Sequence, residues 1–281
     1  MKKNFAIIIA LLLCLQPITA QNEKKSVNAE ITDSTLALNL LLGKNKNKDN
    51  GENKDSTKTE KKPKKLKNFE MLTPTLDLGV NFLGSDGKLS LDENLDALEV
   101  KNLASINWNL HLFKYRLNLI KHKLNLNFGL GVNVYNYHFT GDGYLVPKID
   151  QVSIGYNTDE NGDVINLKKN NLRTSYMTIP LALNFNSNPK KSKKSFFLTA
   201  GGYFGLKIKS MQKLRWDIDY KETVKIVDKF NTNPYRYGMF AQIGFGGIGL
   251  YFDYALNDLF KEEEAGIYKV RPFSSGIVFN F

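Results

Sequence analysis

Three histidines are the residues of this sequence whose type is most often catalytic or metal-binding, and they are widely spaced. His111 falls in a predicted strand, His122 in a predicted turn and His138 near the end of the next predicted strand. A zinc site needs ligands that converge on one point, and a nucleophilic triad needs a base in contact with both of its partners. The spacing therefore predicts no catalytic residue, no metal site and no cofactor.

A second candidate is a polar segment that matches the first half of a calcium-binding loop. Asn157, Asp159 and Asn161 alternate before Gly162, as the first ligands and the turn glycine do in such loops. The twelfth position should supply a bidentate glutamate but is Lys168. We therefore interpret this segment as the tip of a hairpin.

Isolated charged and polar side chains also recur on one face of several predicted strands. The candidates for a polar network in the interior of the fold are Asp77, His111, Lys207, Gln242 and Asp253. We interpret Asp77, Lys207 and Asp253 as an interior salt-bridge network that fills space. The functional alternative is a narrow path for ions.

The elements that would position these side chains are strands whose apolar residues recur with period two. We predict strands at Thr75–Leu83, Ala104–Phe113, Lys123–Val134, Tyr176–Phe185, Phe196–Lys209, Tyr235–Phe245, Ile248–Leu256 and Arg271–Phe281. One phase is apolar over about forty positions and holds no charged residue, whereas composition alone would place about ten there. The opposite phase consists of polar or very small residues.

Volume decides which of the two faces points inward. The lumen of an eight-stranded barrel is only wide enough to be filled by side chains or to hold one small ligand. The large apolar residues cannot fit there, whereas glycine, asparagine, threonine and serine can. An arginine or lysine on a lipid face at mid-bilayer costs ~2–4 kcal/mol, which explains the uncharged phase. The fold class is therefore predicted to be all-β: an eight-stranded antiparallel transmembrane β-barrel over residues 75–281.

The N-terminal residues have a different character. Lys2 and Lys3, the apolar run Phe5–Leu15 and a small residue at Ala20 predict a signal peptide over residues 1–20. The only cysteine, Cys14, lies in that run. Residues 21–74 are predicted to be a periplasmic extension that contains a disordered basic tether at 44–68. The tether holds ten lysines and four acidic residues, so it supplies six of the formal net charge of +11.

The C-terminal strand and the connections predict a location and an orientation. The chain ends on aromatic residues, with Phe279 and Phe281 as a C-terminal assembly signal for the barrel-assembly machinery. The connections at 84–103, 139–171, 210–234 and 258–270 are long and polar, whereas those at 114–122, 186–195 and 246–247 are short. Outer-membrane barrels keep short turns in the periplasm and long loops outside. We therefore expect the bacterial outer membrane, with both termini periplasmic.

Five segments carry a resemblance to a known family. They are GLGVNVYNYHF at 129–139, YMTIPLALNF at 176–185, FFLTAGGYFGLKI at 196–208, YFDYALNDLF at 251–260 and the final GIVFNF. Over residues 75–281 the sequence resembles the PorT-like outer-membrane β-barrel proteins of Bacteroidetes-type bacteria. The resemblance implies an eight-stranded barrel and an association with protein secretion. It implies no catalytic residue.

The function that these observations favour is a non-enzymatic anchor or scaffold, as a component of an envelope or protein-secretion complex. Expected partners are outer-membrane lipids and lipopolysaccharide, the barrel-assembly machinery, and periplasmic or secretion-complex proteins bound through residues 21–68. Nucleic acid is not expected, because the basic segment has only Phe69 as an aromatic neighbour. The alternatives are a narrow small-solute or ion channel and a lipid A-modifying enzyme that would use His138.

Overall fold

The computed structural model describes residues 66–281 except 86, 102, 192–193 and 218–222. The predicted signal peptide and most of the predicted tether lie outside the described residues. The strands are β1 Phe69–Leu72, β2 Thr75–Gly84, β3 Ile106–Ile120, β4 Leu124–His138, β5 Tyr144–Leu145, β6 Ile154–Gly155, β7 Leu167–Asn186, β8 Phe196–Trp216, β9 Val224–Val227, β10 Tyr235–Phe245, β11 Ile248–Ala255 and β12 Arg271–Asn280. A short 3-10 helix spans Glu93–Leu98. Among the described residues, no helix has both the length and the apolar character needed to cross a membrane.

Eight of these strands form a closed antiparallel ring, which confirms the predicted strand number and direction. The ring follows the order β2, β3, β4, β7, β8, β10, β11 and β12. It closes where β12 pairs with β2, from Arg271 opposite Gly84 to Asn280 opposite Thr75. The first and last strands of the predicted barrel therefore pair with each other.

The two faces of the barrel wall also follow the predicted phase. On β7, Ile179 is 57% exposed whereas its neighbour Thr178 is 1% exposed. The same contrast separates Ile243 from Gln242 on β10. The apolar residues point outward and the polar and small residues point into the lumen.

Several strands are longer than the sequence predicts, because bulges shift the alternation. One register shift adds a residue to β3 between His111 and Phe113, and another adds a residue to β8 between Lys207 and Lys209. A bulge adds one residue, so the side chains beyond it change faces. The apolar residues of β3 therefore continue outward at Phe113, Tyr115 and Leu117, in the opposite phase to the one that was predicted.

Strand β1 was not predicted. It lies before Pro74 and pairs with the end of β3, from Phe69 opposite Leu117 to Leu72 opposite Lys114. Phe69 stacks on Tyr115 with ring centroids 5.7 Å apart, and Glu70 pairs with Arg116 at 3.2 Å. Four residues before a proline are too few to show a period, so this strand could not be predicted from alternation.

The two ends of the barrel differ in their connections. At one end, which we call the short-turn end, the ring strands join through 121–123, 187–195 and 246–247, and both ends of the barrel sequence lie there. Lys121 and His122 both have positive φ, at 49° and 58°, as a tight hairpin turn of mirror-image type requires. The opposite end, the long-loop end, carries the connections 85–105, 139–166, 217–234 and 256–270.

The connections of the long-loop end are not simply polar loops, as the sequence suggested, but pack together as a cap. The amide N–H of Val152 donates to the carbonyl of Glu264 at 2.7 Å, and that of Asn233 donates to the carbonyl of Leu259 at 2.8 Å. The cap and the adjoining strand ends share one buried apolar cluster, which comprises Leu83, Leu95, Leu98, Val100, Tyr135, Tyr137, Phe139, Leu145, Leu172, Tyr176, Phe230, Leu259, Phe260, Ala265 and Val270. A hydrophobic core therefore lies over the long-loop end of the lumen.

Candidate functional site: the lumen and its closure

Three of the predicted interior residues meet in the lumen. Asp77 on β2, His111 on β3 and Gln242 on β10 occupy inward positions of their strands. The His111 ring nitrogen Nε2 lies 3.2 Å from Asp77 Oδ2, and the Gln242 amide donates to both Asp77 oxygens at 3.4 Å. These contacts hold the Asp77 carboxylate against the barrel wall.

Asp253 belongs to a separate cluster, whose cation was not predicted. The Arg236 guanidinium pairs with Asp253 at 3.2 Å, and each of these side chains is almost fully buried. The Tyr203 hydroxyl donates to Asp253 at 3.2 Å, while Arg236 donates to the Tyr137 hydroxyl at 3.2 Å. A signal was present, because Arg236 is a charged residue on the inward phase of β10 between two outward tyrosines.

Tyrosine rings complete this cluster on the side of the cap. The Arg236 guanidinium carbon lies 3.8 Å from the centroid of the Tyr135 ring, a cation–π contact. Asn133 donates to the Tyr135 hydroxyl at 3.1 Å, and the Tyr176 hydroxyl donates to the carbonyl of Asn233 at 3.2 Å. Tyr135, Tyr137 and Tyr176 are at most 1% exposed, so these rings fill the lumen directly below the cap.

Lys207 does not join either cluster, and its assignment to the interior ion pairs is corrected. Its ammonium donates to the carbonyl and the hydroxyl of Thr232, the latter at 2.8 Å. The Thr232 hydroxyl lies 2.9 Å from that of Ser210. Lys207 therefore binds the β8–β10 connection to β8 through Thr232. The cation that pairs with Asp253 is Arg236.

The lumen retains space between the tyrosines and the short-turn end. Two small adjoining cavities remain, each with room for about one water molecule, and His111, Pro180 and Phe240 line both. The side-chain oxygens of Asn109 and Asn127 are buried there and have no hydrogen-bond partner among the described residues. A polar cavity of this kind is suited to ordered water, which satisfies such atoms.

The other two histidines lie elsewhere, as their spacing predicts. His122 is in the β3–β4 turn, where its backbone N–H donates to Asn118. His138 is at the end of β4, where the Asn171 amide meets its ring nitrogen Nδ1 at 3.0 Å. The segment at Asn157 is a hairpin tip, because Thr158 pairs with Val164 and the Asp159 carboxylate accepts from the N–H groups of Asn161 and Asp163.

The two residues of the predicted assembly signal end the closing strand. Phe279 lies between Ile248 of β11 and Leu76 of β2. Phe281 follows β12 and is 69% exposed. Both aromatic rings are thus on or next to the seam that closes the ring.

A family model described as an outer membrane protein beta-barrel domain matches residues 76–261, about two-thirds of the chain. The chain belongs to this family. Together with the closed ring and its apolar outer face, the family membership identifies an outer-membrane β-barrel protein. A comparison with curated proteins found no match.

Among solved structures, the chain matches the crystal structure of Ail, the attachment invasion locus protein of Yersinia pestis. The sequence identity is 12%, and the match covers 77% of this chain and 100% of that chain with a TM-score of 0.30. A superposition with so low a score carries no argument about fold or function.

Proposed function

We propose that this outer-membrane barrel is a non-enzymatic, non-conducting anchor or scaffold in an envelope or protein-secretion complex. The observation that carries the proposal is the filled lumen below the cap. Arg236, Asp253 and three buried tyrosines occupy it, and the apolar core of the cap covers them. A barrel filled in this way among its described residues presents two surfaces, the cap and the short-turn end.

The proposal includes an orientation in which the short-turn end and both termini face the periplasm. Short turns of outer-membrane barrels lie on that side. The turns of this end are basic, with the lysines Lys67, Lys121, Lys123, Lys190, Lys191 and Lys194 among the described residues. The predicted tether, which precedes β1 in the sequence, has the same sign of charge, and both segments suit an acidic periplasmic partner.

The test of the anchoring role is deletion of residues 21–68 followed by cross-linking in cells. We expect the proteins that cross-link to the full chain to be lost, because the deletion removes the ten lysines of 44–68. A matched variant replaces the ten lysines of 44–68 with glutamine and keeps the length of the segment. This variant shows whether partner binding needs the charge of the segment or only its length. An unchanged set of partners in both variants would overturn the anchoring role.

The proposed orientation has its own test. Single cysteines placed at Ser187 and at Asn161 report the short-turn end and the long-loop end, since the mature chain has no other cysteine if residues 1–20 are removed. A membrane-impermeant maleimide applied to intact cells should label the Asn161 position alone. Labelling of the Ser187 position alone would reverse the orientation.

The alternative of a lipid A-modifying enzyme depends on His138. Its ring contacts Asn171 on the outer face of the barrel, and Thr140 nearby donates to Glu99. These contacts are those of ordinary polar positions, so we favour the scaffold. Loss of a lipid A modification in cells that carry His138→Ala would favour the enzyme instead.

A further inference from the structure

The outer face of the β7–β8 hairpin carries a dense group of cations near the long-loop end. We call this group the basic face; its residues are Lys169, Arg173, Lys209, Lys213, Arg215 and Lys225. The intervening residues Leu172, Thr174, Ser210, Gln212 and Leu214 are buried inward. Because successive side chains of a strand point to opposite faces, the six cations point outward.

Strand pairing brings these cations close together. Lys213 of β8 lies directly opposite Lys225 of β9, and Arg215 lies directly opposite Lys169 of β7. Side chains directly opposite each other have Cβ atoms about 4.5–5.5 Å apart. The basic face is therefore a compact surface that crosses three neighbouring strands.

Among the residues that the structure describes, no acid lies within ion-pairing distance of the cations of the basic face. The charges that act on Lys213 are those of Arg173, Lys169 and Lys225, all of the same sign. Lys169 and Arg173 also act on His138, together with Lys101. No ion pair within the described part of the chain includes any of the six cations. Like charges directly opposite each other destabilise a sheet, so an anionic ligand would relieve this face.

The basic face begins where the apolar outer surface ends. On β7 the outward residues change from Ile179 and Met177 to Ser175 and Arg173, and on β8 they change from Leu206 and Ile208 to Lys209. The register shift between Ser175 and Tyr176 marks the change on both strands. The cations therefore lie at the level where the hydrocarbon of the membrane meets the lipid headgroups.

We propose that the basic face binds the phosphate groups of a lipid headgroup in the leaflet at the long-loop end. Phosphate accepts hydrogen bonds from arginine in a bidentate manner and attracts lysine as a point charge. In the proposed orientation, on which this choice of lipid rests, the ligand is the phosphorylated disaccharide of lipopolysaccharide. Its two phosphates suit a surface that offers several cations across neighbouring strands.

The test uses the full-length barrel, purified in a neutral detergent, and bisphosphorylated lipid A as the probe. In the test variant Lys169, Lys213, Arg215 and Lys225 are all changed to glutamine, while Arg173, which donates to Asn136, is retained. We expect its affinity for lipid A to fall at least about tenfold, because each basic side chain near an anionic lipid surface contributes to binding. Affinity should also fall when the phosphates of the probe are removed.

Two control variants accompany this test. Lys169→Arg, Lys213→Arg, Arg215→Lys and Lys225→Arg together preserve every charge and should keep the affinity within a few fold. Lys121→Gln, Lys123→Gln, Lys190→Gln and Lys191→Gln remove four charges at the short-turn end and should also keep it. Heat-modifiable gel migration shows that each variant is a folded barrel.

Three outcomes of the binding measurements would overturn the inference, and a fourth comes from cross-linking. They are unchanged affinity in the glutamine variant, equal binding of dephosphorylated lipid A, and displacement of lipid A by inorganic phosphate at a similar concentration. Loss of a cross-linked extracellular protein with unchanged lipid affinity would also overturn it, since the face would then dock a protein. The deletion of residues 21–68 does not alter the basic face, so failure of the anchoring role would leave lipid binding intact.

Discussion

Arg236 is the residue on which the interior of the barrel depends most. One carboxylate, two hydroxyls and one aromatic ring contact its guanidinium, and the side chain is 3% exposed. A buried charge is stable only with such partners, because taking it out of water costs several kcal/mol. The inward acid Asp253 could be recognised in the sequence, but the identity of its partner depended on strand register, which period-two patterns leave open.

Replacement of Arg236 should therefore destabilise the barrel strongly. We expect Arg236→Met to lower the free energy of unfolding by about 3–5 kcal/mol, because Asp253 is left as a buried charge without its cation. Urea titration in detergent, followed by tryptophan fluorescence, measures the change. The double variant Arg236→Met with Asp253→Asn should recover part of the loss. A single variant as stable as the parent would contradict this account of the lumen.

Asp228 has a comparable role in the cap, at the protein surface. Its carboxylate accepts from the N–H of Phe230 at 2.9 Å and from that of Lys148 at 3.3 Å, and so joins two connections. Phe230, Asn231 and Lys148 all have positive φ, a conformation that needs such support. Partial burial raises the pKa of Asp228. The backbone hydrogen bonds lower this pKa by more than burial raises it, so the pKa lies below its usual value.

The lowered pKa gives this contact a defined dependence on pH. The pKa of Asp228 is lower in the folded state than in the unfolded state. The ionised carboxylate therefore stabilises the cap at pH values above the usual carboxyl pKa, and this stabilisation is lost as the pH falls through the folded-state pKa. We expect the cap to become more sensitive to pepsin below about pH 4, where aspartate begins to protonate. Each cleavage rate is divided by that of an unfolded substrate at the same pH, since pepsin itself is more active in acid. On this scale the variant Asp228→Asn should be equally sensitive at pH 5 and at pH 3. A parent protein without any acid dependence would contradict this prediction.

At the scale of the elements, the sequence predicted the strands that alternate between apolar and polar residues, and it did not predict the elements that lack this alternation. All eight ring strands were predicted because each has an apolar outer face, and the turn at Gly246 and Gly247 was evident. The extension of β8 was missed because its outward residues are charged and follow a bulge, and that of β7 was missed because its outward residues Arg173 and Lys169 are charged. The cap was missed because its buried residues, such as Leu98 and Phe260, are isolated in segments without a period.

Strand β1 has a specific consequence for the edge of β3. Strand β2 covers β3 only from Ile106 to His111, and β1 covers the residues from Lys114 to Leu117. Replacement of Phe69–Leu72 with glycine and serine should therefore raise amide hydrogen exchange at Lys114–Leu117. Exchange on β11, which is distant along the ring, serves as the control. Unchanged protection at β3 would show that the edge does not need β1.

At the scale of the whole molecule, the filled lumen and the cap predict electrical behaviour. We expect the full-length protein to insert into planar bilayers without steady conductance, because side chains occupy the lumen beside the cap. The variant that combines Tyr135→Ala, Tyr137→Ala and Arg236→Ala with Asp253→Asn enlarges that space and should conduct more than the parent. Steady conductance of the parent that changes with Asp253→Asn would favour the channel.

The seam between β12 and β2 also bears on the order in which the molecule can form. Every other neighbouring pair in the ring joins two ring strands that are consecutive in the chain, so each of these pairs can form as a hairpin. The seam alone joins residues about 200 positions apart, and the length-dependent loop entropy of bringing them together is roughly 5 kcal/mol. Until that contact forms, β2 and β12 are two open edges with unpaired backbone groups, the form in which a sheet is most prone to aggregate. Closure is thus the slow and vulnerable step of folding, and it must wait for the last strand of the chain.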